Sequence, residues 1–206
     1  MGMRIRKKWD WPSEQSRALV VLSISFLIGG MIGCILATLS GGTGAEELGR
    51  YLVDYLTLAQ SGQLPQSVCT VLWGQVKYLL AALLFGLTAL GLAGFPVLFG
   101  LRGFFLSFSV ACFCRVFGSR GLFPACLLFA LPALLWAPAL FLMGVSGFLS
   151  AQQLLRRVLG EGRGGLPLNG AYWCRAGLCV GLALAAGLLE YWVVPVLLRE
   201  TAQVIL

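Results

Sequence analysis

Between Arg17 and Glu46 the chain runs for 28 residues without a charge, and Ala18 to Leu39 are the most apolar 22 of them. At about 1.5 Å per residue, a helix of that length crosses about 30 Å of hydrocarbon. The basic leader before it (Arg4, Arg6, Lys7, Lys8) resembles the start of a signal peptide. The apolar core, however, exceeds an h-region of roughly 7–15 residues, and no A-x-A site follows, which points to an uncleaved first spanning helix. Tyr78 to Leu101, 24 uncharged residues, reads as a second span ending in the turn Gly100-Leu101-Arg102-Gly103, with Arg102 at the aqueous end. Gly103 to Cys114 has only 12 uncharged residues. It spans if it extends to about Gly118 with Arg115 snorkelling, and is otherwise a half-helix. Gly121 to Leu155, 35 uncharged residues with Pro124, Pro132 and Pro138, reads as one kinked, overlong helix or a broken pair. A last span runs from near Ala176 to near Leu198, and Glu190 and Pro195 predict an irregular outer end.

Composition points the same way. With 59% hydrophobic and 11% charged residues and a mean hydropathy of +0.89, there is too little charge to solvate the surface of a soluble domain. The expected fold class is all-α, a polytopic helical integral membrane protein with residues 1–206 in one membrane domain. About five spans are expected, or six if the proline-rich run forms a broken or re-entrant pair that crosses twice.

Lys and Arg are retained on the cytoplasmic side, so their distribution orients the chain. Five spans and a cytoplasmic N-terminus put Arg4, Arg6, Lys7, Lys8, Arg17, Arg102, Arg156, Arg157, Arg163 and Arg175 inside. Arg50, Lys77, Arg115, Arg120 and Arg199 are then outside, ten against five. Residues 1–17 become a basic cytoplasmic arm and 156–175 a basic cytoplasmic loop, whereas six spans would put that loop outside. A basic arm and a pI near 9.3 also suit nucleic acid, but topology and contact with anionic membrane lipid explain both here. The glycine-rich stretch from Leu159 to Asn169 reads as a hinge, since it lacks the lysine and strand-to-helix setting of a phosphate-binding loop.

Residues 41–76 form the main extracytoplasmic loop. Within it, 45–60 reads as an amphipathic helix: Leu48, Tyr51, Leu52, Tyr55, Leu56 and Ala59 follow i, i+3, i+4 spacing, with Glu46, Glu47, Arg50 and Asp54 elsewhere on the circumference. Its apolar stripe can pack on the outer ends of the spans or dock a partner outside the membrane. For the second use the candidates are Leu48, Tyr51, Leu52, Tyr55 and Leu56.

The chain has no histidine, which removes His-dependent triads, His-containing zinc sites and most acid–base designs. Gly144-x-Ser146-Gly147 lacks the sheet and base of a nucleophile elbow. The seven cysteines contain no C-x-x-C, and Cys34, Cys112, Cys114, Cys126 and Cys179 lie in apolar runs, where they read as small buried residues. No catalytic residue, metal site or cofactor is therefore expected. An ionisable group inside hydrocarbon is a functional hypothesis by default. Glu190 is the clearest, and Lys77, at the outer end of the second span, is its candidate intramembrane partner; the other reading starts the last helix near Gly170 and leaves Glu190 at the interface beside Tyr191 and Trp192. Gly29-Gly30-x-x-Gly33 offers a small face for close helix approach, either within the monomer or in a homo-oligomer. Pro124, Pro132 and Pro138 with Gly144 and Gly147 suit a helix that bends.

The tract Leu72 to Leu155 resembles the stage II sporulation protein M family. The likeness lies in the apolar span, Phe99-Gly100-Leu101-Arg102-Gly103-Phe104, the aromatic and small-residue helix through Phe108-Ser109-Val110, then Gly121 and a proline-punctuated helix through Leu131-Pro132 and Pro138. The leader, first span and outer helix agree with it; the segment after Asn169 has no residue-by-residue match. The resemblance implies a non-enzymatic scaffold of the engulfment machinery in endospore-forming bacteria. Its partners would be the stage II sporulation proteins D and P, peptidoglycan hydrolases held at the mother-cell septal membrane. Two other classes compete. A permease subunit working with a separate ATPase would need a coupling helix, for which Leu154 to Gly160 is a poor candidate. A small-solute-binding subunit would need a polar pocket drawn from Gln75, Thr88, Ser107, Ser109 and Glu190.

Overall fold

The computed structural model describes residues 14–39, 67–160 and 170–205, with Glu47, Arg50, Val53, Asp54, Thr57, Leu58 and Ser61 between the first two stretches. Every regular element among them is helical, and five helices are long and apolar enough to cross a membrane. These are α1 (Glu14–Leu39), α2 (Val68–Gly86), α3 (Gly91–Phe117), α4 (Leu131–Val158) and α5 (Gly170–Ile205). The protein is an all-α polytopic membrane protein.

Polar contacts at the helix ends show how the helices alternate. Glu14 at the start of α1 pairs with Arg156 near the end of α4 at 3.6 Å. At the opposite face, Arg115 near the end of α3 donates to the Ala37 and Thr38 carbonyls at the end of α1, at 2.6 and 3.1 Å. Those carbonyls belong to the last turn of α1, where the helix dipole is negative and no intrahelical donor remains. The third apolar run is thus part of a full helix.

The second span differs from the one expected. α2 begins at Val68 and ends at Gly86, and the chain reverses through 87–90, so α3 carries Gly100-Leu101-Arg102-Gly103 in its middle. Hydropathy could not mark this turn, because three of its four residues are Leu87, Ala89 and Leu90. Its backbone is satisfied by short-range bonds, Leu87 N–H to Leu83 O, Thr88 N–H to Phe85 O and Gly91 N–H to Thr88 O, each at 3.1–3.2 Å. An apolar turn can therefore sit at the membrane surface without stranding amides.

α1 and α3 lie parallel with backbones in contact. A Cβ on Gly29 would run into the Gly100 carbonyl and one on Gly103 into the Phe26 carbonyl, while one on Gly33 would be 2.5 Å from Phe104 O. The small face of α1 is thus filled within the monomer. Without a hydrophobic drive between helices in lipid, such close packing is the main attraction available.

The proline-rich run forms one crossing. A 3-10 turn (Gly118–Gly121), a single α-helical turn (Leu122–Ala125) and a π turn (Cys126–Ala130) lead into α4. Gly118 at φ 61° and ψ −148° adopts a conformation closed to other residues and breaks α3 from this segment. The wide π turn gives the Pro132 ring room beside the Leu128 carbonyl, which it would meet in a regular helix. α5 starts at Gly170, the earlier of the two starts considered, and passes through Pro195 without a break, so its C-terminal end is regular helix where an irregular one was expected. Gly144 and Gly147 do not mark a bend: they receive the buried rings of Phe99 and Phe95.

All seven cysteines are free thiols. Cys112 and Cys179 are buried as expected, but Cys34, Cys69, Cys126 and Cys174 are exposed on the bundle surface.

Candidate functional site

Each helix carries a stripe of buried residues facing the bundle interior. On α2 it is Gln75, Leu79, Ala82 and Gly86, and on α5 Ala176, Cys179, Ala183 and Ala186. Glu190 continues the α5 stripe one turn beyond Ala186, and Arg102 lies one turn after Leu98 on α3. Three polar side chains consequently converge among apolar ones. The Arg102 guanidinium donates through Nη2 to Gln75 Oε1 at 2.9 Å, and Gln75 Nε2 donates to Glu190 Oε2 at 2.6 Å. The guanidinium also lies 4.0 Å from the Trp136 ring centroid and 4.3 Å from that of Tyr78. It is thus flanked by two electron-rich faces in a medium where cation–π attraction is only weakly screened.

The cluster is electrically balanced, one cation and one anion joined through an amide that serves each with the group it needs. Separately, a guanidinium and a carboxylate would each cost several kcal/mol in hydrocarbon; together their charges offset. The arrangement ties α2, α3 and α5 through hydrogen bonds and α4 through Trp136. A cavity of about 160 Å³ adjoins it, lined by Arg102, Gln75, Glu190, Ser109, Trp136 and Pro132 among others. The buried Arg102 Nε makes no hydrogen bond within the protein, and the cavity that Arg102 lines has room for ordered water. The cluster itself contains no nucleophile or histidine, and no metal-ligating group of three or more occurs among the described residues. Its evident capacity is to hold helices together and solvate a cation.

Two expectations change here. Arg102 is internal to α3 and absent from any aqueous turn. Glu190 takes its hydrogen bond from Gln75 and not from Lys77, whose ammonium lies 5.2 Å from the Tyr78 centroid. Among the described residues the ion pair is Arg156–Glu14, and no Lys77–Glu190 pair forms. Of the polar residues considered for a pocket, Gln75, Ser109 and Glu190 meet, while Thr88 sits in the α2–α3 turn and Ser107 faces Gly30. The missed member, Arg102, was legible as a basic residue four positions after Leu98 and seven after Phe95.

The outer partner candidates Leu48, Tyr51, Leu52, Tyr55 and Leu56 lie outside the described residues. Around them, Glu47, Arg50, Val53, Asp54, Thr57 and Leu58 are helical, and Ser61 N–H donates to Thr57 O at 3.1 Å. No family model, curated protein or solved structure matches the chain.

Proposed function

We propose that the protein is a non-enzymatic scaffold of the bacterial cytoplasmic membrane, belonging to the engulfment machinery of sporulation. In this reading it holds peptidoglycan hydrolases of the stage II sporulation D and P kinds at the mother-cell septal membrane, through its outer helix. The observation that carries the proposal is where the resembling residues fall. Gly100 and Gly103 make the backbone contact between α1 and α3, and Arg102 anchors the internal polar cluster. A pattern of glycine, arginine and aromatic residues with architectural duties suits a scaffold, whose membrane body has to present an outer segment in a constant place. Orientation is part of the proposal. With Arg102 internal and Lys77 within a span, nine bases lie on the N-terminal side and four (Arg50, Arg115, Arg120 and Arg199) on the other, which favours a cytoplasmic N-terminus.

The test is mass spectrometry of what crosslinks to a functional tagged copy in native cells, sampled during growth and starvation. Wall hydrolases recovered at starvation are the expected result. An ATP-binding subunit recovered during growth overturns it in favour of a permease, the reading to which a polar cluster beside a membrane cavity would otherwise lend itself.

A further inference from the structure

Lys77 shares the Tyr78 ring with Arg102 but makes no hydrogen bond or ion pair to the internal cluster, and its position is unusual. α2 has 19 residues, Val68–Gly86, about 28 Å of helix and close to the hydrocarbon thickness. Lys77 is the tenth, about 13 Å from either end, well beyond the reach of a four-carbon stem. Its side chain is exposed on the bundle surface, in line with Trp73, Leu80 and Leu84 at i−4, i+3 and i+7, which are 60%, 43% and 62% exposed. A stripe directed at lipid thus carries a cation at its centre. Among the described residues no carboxylate lies within ion-pairing distance of it, and the Tyr78 ring at 5.2 Å offers only partial compensation. Intramembrane charges of this kind ordinarily pair or face a protein neighbour.

We propose that this face of α2 docks, within the bilayer, a spanning helix of a different protein that carries an Asp or Glu near its own midpoint, with Lys77 as its ionic partner. Charge complementarity selects the occupant. A second copy docking α2 on α2 would set lysine against lysine, and the intramembrane acid a copy could offer, Glu190, is held by Gln75. The proposal is independent of the scaffold reading, since the face is distinct from the outer helix.

The experiment uses the full-length protein in phosphatidylcholine vesicles with leucine-rich spanning peptides of about twenty residues. The peptides are identical except for Glu, Gln or Leu at the centre, and association is read by fluorescence energy transfer. The expected result is at least tenfold tighter association of the Glu peptide than of the Leu peptide, reduced to the Leu level by Lys77→Met. Lys77→Met removes a lipid-facing charge, so its melting temperature should equal or exceed that of the parent. Lys77→Arg should keep most of the preference, a retention that loss of fold would not give. Equal binding of the three peptides, a Glu preference unchanged in Lys77→Met, or association only between copies of the chain would each overturn the proposal.

Discussion

Arg102 shows how much one side chain decides in a chain with so few charges. Removing it by Arg102→Ala leaves the Glu190 carboxylate without its cation in the bundle interior, and the expected cost is about 3–5 kcal/mol. The double variant Arg102→Leu, Glu190→Leu should recover a large part of that loss, because both charges then vanish together. Denaturation by a harsh detergent of the protein in mild micelles measures both; a double variant no better than Arg102→Ala would show that the cation–π contacts with Trp136 and Tyr78 dominate. Tyr172 gives the opposite case. Its buried hydroxyl lies against Gly86 without a hydrogen-bond partner, so Tyr172→Phe should leave the melting temperature unchanged or raise it. A clear fall would reveal a bond through ordered water.

Among the elements, the α1–α3 pair depends most on its glycines. Gly103→Ala puts a methyl on the Phe26 carbonyl, which helix backbone cannot yield cheaply, so a loss of about 1–3 kcal/mol is expected. Gly177→Ala on α5 meets nothing within 4 Å and should be neutral or stabilising by up to about 1 kcal/mol. Parallel thermal melts separate the two; equal effects would mean that α1 and α3 do not touch through Gly103. Arg115 closes the same pair at its C-terminal end. Arg115→Ala should raise amide hydrogen exchange in the last turn of α1 while leaving α5 unchanged, because the Ala37 and Thr38 carbonyls lose their donor.

Across the whole molecule, the crossings alternate, α2 to α5 are clasped by the polar cluster and α1 is held on α3 through Gly29 and Gly103, so both helices that flank the segment between α1 and α2 are fixed. If that segment recruits a partner, Tyr51→Glu or Leu52→Glu should abolish recruitment without affecting membrane insertion. Fractionation together with co-purification of the wall hydrolases checks both; retained recruitment by an inserted variant would remove the outer helix from the mechanism.

The membrane class and the five crossings are both legible in the linear chain, because the price of charge in hydrocarbon is written in where charges are missing. The place of the second turn is not legible in that way, since Leu87-Thr88-Ala89-Leu90 has the hydropathy of a span and reverses only because its backbone bonds close locally. Nor does composition tell whether a lone basic residue between apolar runs ends a helix or lies buried within one. That was decided for Arg102 by what other helices bring to it, Gln75 and Tyr78 from α2, Trp136 from α4 and Glu190 from α5. A charge is tolerable in the membrane when its partners come from distant parts of the chain, and only packing in three dimensions supplies them.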